Sequence, residues 1–129
     1  MNTLIEQAGH VPDFLIDDIK WQQLIISNNS QSLNVNVPIL TATQCQILSD
    51  HIKLNNTQFL KKQNTTAIIE LIDKAIERLL NRSDPFRLKA EKLLPVVTGF
   101  DPEMIRLSLT DYLKNFRKPQ LLRFIAEDF

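Results

Sequence analysis

Hydrophobic and polar positions follow two different periods along the chain, and the change falls near Thr41. Before it, apolar residues form short runs or alternate with polar ones, as they do in strands. The segment "SLNVNVPIL" alternates Leu33, Val35 and Val37 with Ser and Asn, which predicts a half-buried strand. We expect Pro38 to end this strand, because proline lacks the N–H that a ladder needs. After Thr41 the apolar residues recur about every 3.6 positions, which predicts helices.

A β-hairpin is predicted earlier, in "FLIDDIKWQQLII". Two apolar segments there flank Asp17 and Asp18, a pair that tolerates positive φ and suits a tight turn. We therefore expect Phe14–Ile16 to pair with Ile19–Ile26. The following "SNNSQ" has the composition of a loop.

About five amphipathic helices are predicted after Thr41. The first opens with two overlapping candidates for a capping box, Thr41-x-x-Gln44 and Thr43-x-x-Gln46. In the second, Glu70 and Lys74 form an i,i+4 pair on the polar side. The expected apolar faces are Cys45, Leu48, Ile52 and Phe59 in the first helix, and Ile68, Ile69, Ile72, Ala75, Ile76, Leu79 and Leu80 in the second.

The third helix is expected to begin with Asp84 as its cap and Pro85 at its first position. Pro95 removes the hydrogen bond to the Glu91 carbonyl, so this helix should kink or end near Leu94. Its expected apolar face is Phe86, Ala90, Leu93, Leu94 and Val97.

The stretch "TGFDPEMI" holds Gly99, one of two glycines, where a helix would need a left-handed residue just past its end. Asp101 and Pro102 then supply a capping oxygen and a first-turn proline for the next helix, and Glu103 suits its dipole. Pro119 starts the last helix. The expected apolar faces are Ile105, Leu109, Tyr112, Leu113 and Phe116, then Leu121, Leu122, Ile125 and Phe129. These structural roles explain the glycine without a ligand loop.

The predicted class is therefore mostly α (α+β). An N-terminal β-hairpin and strand segment spans residues 1–40, and a helical domain spans residues 41–129. The chain of 129 residues is long enough for one domain or part of one. Fifteen basic residues balance fifteen acidic ones, so composition disfavours nucleic-acid binding. The sequence contains neither a signal peptide nor an apolar run long enough to span a membrane, and we expect a cytoplasmic protein.

Candidate catalytic and metal-binding residues are few. Cys45 is the only cysteine, which excludes an internal disulfide. It could act as a nucleophile, but no cationic neighbour lowers its pKa, and we expect it to be buried on the apolar face of its helix. His10 and His51 lack partners at ligand spacing, so we predict no metal site. The glycines cannot form a phosphate-binding loop.

Several polar groups have a structural and a functional interpretation. Lys114, Arg117, Lys118 and Arg123 could bind the phosphate of a nucleotide or coenzyme A, although surface charge near a helix junction is the favoured interpretation. The pairs Asp17-Asp18 and Glu127-Asp128 are interpreted as a turn and a solvated terminus. Trp21 is assigned to packing. The stretch "LPVVTG" is similar to a sortase signal but has one residue too many between Pro95 and Thr98.

The segment from "FLKKQNTTAIIELIDKAIERLL" to "RLKAEKLLPVVTGFDPEMIRLSLTDYLKNFRKPQLLRFIAEDF" resembles the N-terminal region of the long-chain acyl-CoA reductases of bacterial luminescence operons and their non-luminous relatives. That family has an arginine-containing helix, a Thr-Gly-aromatic joint and a Met-containing helix. The matching positions are Arg87, Thr98-Gly99-Phe100 and Met104. The likeness covers residues 40–129 well and the first forty loosely.

The resemblance implies an NADPH-dependent reductase of aldehyde-dehydrogenase-like fold, which reduces a fatty acyl thioester, held on a cysteine, to an aldehyde. None of that family's functional residues maps onto this chain, and Cys45 lies upstream of the catalytic region. We therefore expect an N-terminal portion that is inactive alone, with no catalytic, cofactor-binding or metal-binding residue. NADPH and acyl-CoA would bind only the full-length enzyme.

Apolar residues also extend beyond a single helix face, namely Leu71, Met104 and Leu107. Such an excess predicts packing against the remainder of a reductase, or self-association through an apolar face, most simply as a two-fold dimer. The alternative function is a free-standing helical module that binds another protein.

Overall fold

The computed structural model describes residues 2–28 and 30–128. It divides the chain into two compact units, the first reaching Lys62 and the second starting at Gln63. A small three-stranded sheet comes first and five α-helices follow, so the predicted mostly α (α+β) class is confirmed.

The first unit contains the sheet. Its strands are β1 (Asn2–Gln7), β2 (Lys20–Asn28) and β3 (Gln31–Ile39), in the order β1-β3-β2. β3 pairs with β2 in antiparallel and with β1 in parallel orientation. The alternation in "SLNVNVPIL" therefore predicted the central strand correctly, while β1 was not predicted at all.

The predicted hairpin around Asp17-Asp18 is wrong. Residues Asp13–Asp18 form a 3-10 helix, which begins where the Leu15 N–H donates to the Pro12 C=O at 2.9 Å. The observed hairpin is β2–β3, so part of the predicted "SNNSQ" loop belongs to the strands. The segment packs inward in this form. Val11, Leu15 and Ile19, which lie before, within and after the 3-10 helix, form a buried core cluster of this unit, with Leu40 and Leu48 packed against it.

Pro38 does not end β3, which continues to Ile39. The Asn36 C=O accepts a hydrogen bond from the N–H of Ala8, so Asn36 directs its backbone groups towards β1. Alternate residues of a strand direct these groups to the same side, and the nitrogen of Pro38 therefore also faces that side. β1 ends opposite Asn36, at Gln7, so Pro38 removes no ladder hydrogen bond.

Helix α1 (Ala42–Gln58) also belongs to the first unit. The first predicted capping box is confirmed: the Gln44 N–H donates to Thr41 Oγ1 at 3.1 Å, and the Thr41 N–H donates to Gln44 Oε1 at 2.9 Å. The expected burial of Cys45 is wrong, and of the predicted apolar face only Leu48 packs against the core of this unit. Cys45, Ile52 and Phe59 are exposed, and a 3-10 turn at Leu60–Lys62 ends the unit.

The second unit contains α2 (Thr65–Leu80), α3 (Pro85–Thr98), α4 (Pro102–Lys114) and α5 (Lys118–Asp128). α2 packs against the other three helices. The most buried apolar side chains in the unit are Ile69, Ile76, Val96 and Ile105. Of the faces predicted for these helices, Phe129 lies outside the described residues.

Among the predicted helix boundaries of this unit, the two aspartate caps and the Gly99 cap are confirmed, while α5 begins at Lys118, one residue before the predicted Pro119. Asp84 caps α3 ahead of Pro85, and Asp101 caps α4 ahead of Pro102. Gly99 is left-handed, with φ of 74°, and its N–H donates to the Pro95 C=O at 2.9 Å. α3 does not end near Leu94, however, but continues through Pro95 to Thr98.

Across residues 2–28 and 30–128, no helix is both long enough and apolar enough to cross a bilayer.

Candidate functional site

The most deeply buried charged side chain is that of Arg87, which is 1% exposed. Its Nε donates to Glu91 Oε1 at 2.8 Å, and its Nη1 donates to the Leu79 C=O at 3.2 Å. Its Nη2 donates to the Arg106 C=O and to Thr110 Oγ1, both at 2.8 Å. Arg87 therefore connects α2, α3 and α4 through one planar group.

These contacts explain why a cation can be buried here. Glu91 supplies the opposite charge one turn along α3. Leu79 lies in the last turn of α2, where carbonyls lack an intrahelical partner and favour a cation. A buried charge is tolerated when it is both paired and fully hydrogen-bonded. Arg87 is therefore the group that fixes the relative positions of these three helices.

A second polar junction connects α2 to the start of α5. Arg117 binds Asp73 with two hydrogen bonds, Nε to Oδ1 at 2.7 Å and Nη2 to Oδ2 at 3.3 Å. The backbone N–H of Lys118 also donates to Asp73 Oδ1, at 2.7 Å, and Lys118 Nζ contacts Glu70 at 3.0 Å. Asp73 thus satisfies a free N–H at the N-terminus of a neighbouring helix.

The Lys118 N–H bond lowers the pKa of the Asp73 carboxyl, and Arg117 lowers it further through its hydrogen bond and its charge. Partial burial opposes these effects without cancelling them. The phosphate-binding alternative for the basic cluster gains no support from this arrangement, which agrees with the favoured interpretation of charge near a helix junction. Arg117 and Lys118 are neutralised by acidic side chains, and Arg123 pairs with Glu127 at 2.7 Å. The Glu70–Lys74 pair is not formed, because Glu70 pairs with Lys118.

An open apolar groove of about 350 Å³ lies between α2 and the start of α3. Arg78 approaches Asp84 to 3.2 Å and also lies 6.0 Å from the centre of the Phe86 ring. Burial alone would raise the pKa of Asp84, but the N–H groups of Phe86 and Arg87 and the Arg78 side chain outweigh it, and the pKa is lowered. The groove is lined by Ala75, Arg78, Leu79, Asp84 and Phe86.

The joint between α3 and α4 presents apolar side chains to solvent. Phe100 lies in the joint itself, Met104 and Leu107 lie in α4, and each is more than half exposed. The spacing of three residues places Met104 and Leu107 on one side of α4. We call these three residues the α4 strip. A salt bridge between Glu103 and Arg106 adds charged groups on the same helix. The exposure that the sequence predicted for Met104 and Leu107 is confirmed, as it is for Leu71.

The remaining candidate residues do not form a common site. Cys45 was expected to be buried on the apolar face of its helix and is exposed instead. His51 packs against the ring of Phe14 at 4.6 Å, while His10 is an exposed residue near the start of the chain. Trp21, assigned to packing, is 38% exposed on β2.

The acidic pairs have structural contacts. Asp17 and Asp18 end the 3-10 helix rather than form a hairpin turn, and the Asp18 C=O accepts from Gln44 Nε2 at 3.0 Å. Glu127 pairs with Arg123 within α5, one residue before Asp128. Within the described part of the chain, no three His, Cys, Asp or Glu side chains gather closely enough to hold a metal ion.

Two important residues were missed as interaction sites. Arg87 was noted only as part of a resemblance, and Asp73 was not singled out. The Arg87–Glu91 spacing of four residues is a sequence signal for an ion pair. Asp73 and Arg117 are far apart in the sequence, so no local pattern connects them.

Comparisons with family models, curated proteins and solved structures return no match to this chain.

Proposed function

We propose that the second unit is a docking module that packs against another protein body through the α4 strip. In keeping with the resemblance of this region to acyl-CoA reductases, we propose that this body is the nucleotide-binding part of an NADPH-dependent acyl-CoA reductase, and that the location is cytoplasmic. The observation that carries the proposal is the exposure of Phe100 just before α4 and of Met104 and Leu107 on one side of it.

Exposed apolar side chains on a well-anchored helix suit a protein interface. Met adapts to irregular partner surfaces, and Phe contributes a large apolar area when it is covered. The strip does not need to move in order to bind, because its helix is anchored at its start and near its middle. Asp101 caps its first turn, and Arg87 holds Arg106 and Thr110 near its middle.

The resemblance is carried by residues that perform definable structural tasks here. Arg87 joins three helices, and Gly99 ends α3 in a left-handed conformation. Met104 stands on the exposed side of the following helix. In the proposed enzyme, Arg87 and Gly99 shape the module and Met104 contacts the reductase body.

The nicotinamide cofactor that the resemblance implies does not fit this chain. Dinucleotide sites need a glycine-rich turn between a strand and a helix N-terminus. Gly99 instead ends a helix, and its N–H is used by Pro95. Gly9, the other glycine, is followed by a 3-10 helix. NADPH and the acyl thioester would therefore bind the reductase body, and the role proposed for this chain is to position that body.

A free-standing interaction module is the second candidate. The capped helices and the two polar junctions of the second unit give it an internal framework of its own, as such a module requires. The same α4 strip would then contact a partner that has no reductase activity.

A reconstitution experiment separates the two candidates. An acyl-CoA reductase body lacking its own N-terminal helices is mixed with the chain, and both binding and NADPH oxidation with a long-chain acyl-CoA are measured. We expect the chain alone to give only background oxidation, and the mixture to bind and to gain activity. The affinity of such an interface usually depends on a few apolar contacts, so Leu107→Lys should weaken binding by about tenfold or more.

The matched control is Leu88→Lys, because Leu88 and Leu107 are both 51% exposed and only Leu107 belongs to the α4 strip. Equal loss of binding in the two variants would mean that the strip is not the docking site. Failure of the wild-type chain to bind the reductase body would remove the reductase proposal and leave the free-standing module.

A further inference from the structure

Strand β2 forms one edge of the sheet, and its full nine-residue length pairs on one side only. An edge strand presents a row of unpaired backbone N–H and C=O groups, to which another strand can be added. The residues that carry these free groups follow from the register of β3.

Residues 32, 34 and 36 of β3 direct their backbone groups to β1, as the Ala8 N–H to Asn36 C=O bond shows. The intervening residues 33, 35 and 37 therefore bond to β2, where their partners are Ile26, Leu24 and Gln22. The other residues of β2 direct their backbone groups away from the sheet. These outward residues are Trp21, Gln23, Ile25 and Ser27.

From Trp21 to Asn28, β2 has no charged side chain, no proline and no bulge, three of the features that normally prevent strand addition. Proteins block such edges with charged side chains, prolines, bulges or a covering element. β2 contains one charged residue, Lys20, at its very end, and it contains no proline. Its register with β3 runs without a bulge from Lys20 to Asn28. Within the described residues, no backbone hydrogen bond reaches the outward groups of Trp21, Gln23, Ile25 or Ser27.

We propose that this edge binds β2 of a second copy of the chain, in antiparallel orientation, with the two-fold axis at Leu24. Leu24 then lies opposite Leu24 of the second copy. Gln23 lies opposite Ile25 of the second copy and Trp21 opposite its Ser27. All four outward residues exchange backbone hydrogen bonds, and two three-stranded sheets become one continuous sheet.

Both the backbone and the charges of β2 fit a second copy. Leu24 is the middle residue of Lys20–Asn28, so this register pairs the whole strand, while a shift of two residues leaves one outward residue without a strand partner. Lys20 falls opposite Asn28 of the second copy, so no like charges face each other. Leu24 pairs with an identical apolar side chain on one face. On the other face Ile25, which is 67% exposed, gains the aliphatic part of a glutamine as its neighbour.

The first test compares two isoleucines of equal exposure. Ile25 on β2 and Ile5 on β1 are both 67% exposed and both pair with Asn34, from opposite sides. In the proposed dimer the two copies of residue 25 are diagonal neighbours, so Ile25→Lys brings two like charges together. We expect sedimentation equilibrium to show a wild-type dimer, at least about tenfold weaker association for Ile25→Lys, and no change for Ile5→Lys.

The second test examines the register by cross-linking. In a Cys45→Ser background, Leu24→Cys places two thiols directly opposite each other in a non-hydrogen-bonded pair, where Cβ atoms are closest. We expect rapid disulfide dimerisation on oxidation. Ser27→Cys is the control, because its partner is Trp21 of the second copy and its thiols are far apart.

A monomeric wild type at high concentration would overturn the proposal. So would a dimer that Ile25→Lys leaves intact, or equal cross-linking at residues 24 and 27. Circular dichroism verifies that Ile25→Lys is folded, and the cross-linking result decides the matter independently if it is not. The α4 strip belongs to the other unit, so Leu107→Lys leaves this dimer unchanged.

Discussion

At Arg87, the guanidinium group forms a set of hydrogen bonds that no other side chain could form from the same position. Its planar fork directs hydrogen bonds to a carboxylate, two backbone carbonyls and a hydroxyl that lie in different directions. A lysine has three donors on one atom and cannot reach the same set. The fixed geometry of the fork and its charge together connect the three helices.

Replacing Arg87 by Met should destabilise the second unit by about 3–5 kcal/mol, because a buried ionic network loses its central partner. The carbonyls of Leu79 and Arg106 would lose a donor, and Glu91 would lose its counter-charge. Arg87→Lys should fall between wild type and Arg87→Met, since it keeps the charge and loses the fork. Urea unfolding followed by circular dichroism measures both.

The control for this prediction is Arg82→Met, which removes an exposed arginine between α2 and α3. We expect a change within about 0.5 kcal/mol for it, as for most surface substitutions. If Arg87→Met were as mild as Arg82→Met, the buried junction would contribute little to stability.

Gly99 and Arg87 differ in whether their structural roles can be predicted from neighbouring residues. The role of Gly99 depends on its own backbone and its immediate neighbours, and it was predicted correctly from "TGFDPEMI". The role of Arg87 depends on Arg106 and Thr110, which are about twenty residues away. Arginine side chains are usually exposed, so the residue type also argued against the burial of Arg87.

At the scale of elements, the joint between α3 and α4 depends on a left-handed residue. Gly99→Val should cost on the order of 1–3 kcal/mol, because a β-branched residue is strained at a φ of 74°. Gly99→Asn should be milder, since Asn adopts this conformation more readily. Thermal melting of the two variants, compared with wild type, tests the order. Equal melting temperatures for wild type and Gly99→Val would contradict the cap.

Helix boundaries were more predictable than helix faces. Capping residues such as Thr41, Asp84 and Asp101 act within a few residues of the helix end, so local sequence identifies them. Most of the apolar face predicted for α1 is exposed, because periodicity shows which residues align, not whether another element covers them. Of the two outcomes predicted for Pro95, a kink or a helix end, the helix end is wrong. The helix continues past it to Thr98.

At the scale of the whole molecule, acid should weaken folding through Asp73. Its pKa is lower in the folded chain than in the unfolded chain, so its contribution is fully present above about pH 4 and is lost as the pH falls through the lowered value. Asp73→Asn should therefore be less stable than wild type at pH 7, and the difference should shrink towards pH 2. Urea midpoints measured across this range test the prediction.

Asp111→Asn is the control, since Asp111 is an exposed acid of α4 with no ion pair among the described residues. Its stability should follow the wild-type curve at every pH. A constant gap between Asp73→Asn and wild type from pH 7 to pH 2 would show that the charge of Asp73 is not what joins α2 to α5.

The sheet shows why the pairing of distant strands could not be predicted from the sequence. The alternation of β3 was visible, but nothing local indicated that its partners are β2 and, in parallel, β1. The first six residues after Met1 contain only two aliphatic side chains, Leu4 and Ile5, and gave no strand signal. The 3-10 helix was missed because its two aspartates also suit a turn.

Pro38 limits how β1 and β3 can align. A parallel strand that slides by two residues keeps every side chain on its original face, so hydrophobic pattern alone does not forbid the move. If β1 advanced by two residues, Gln7 would lie opposite Pro38, and the C=O of Glu6 would meet a ring nitrogen without a hydrogen. The proline therefore removes a hydrogen bond from the shifted alignment and favours the observed register, in which β1 ends at Gln7, opposite Asn36.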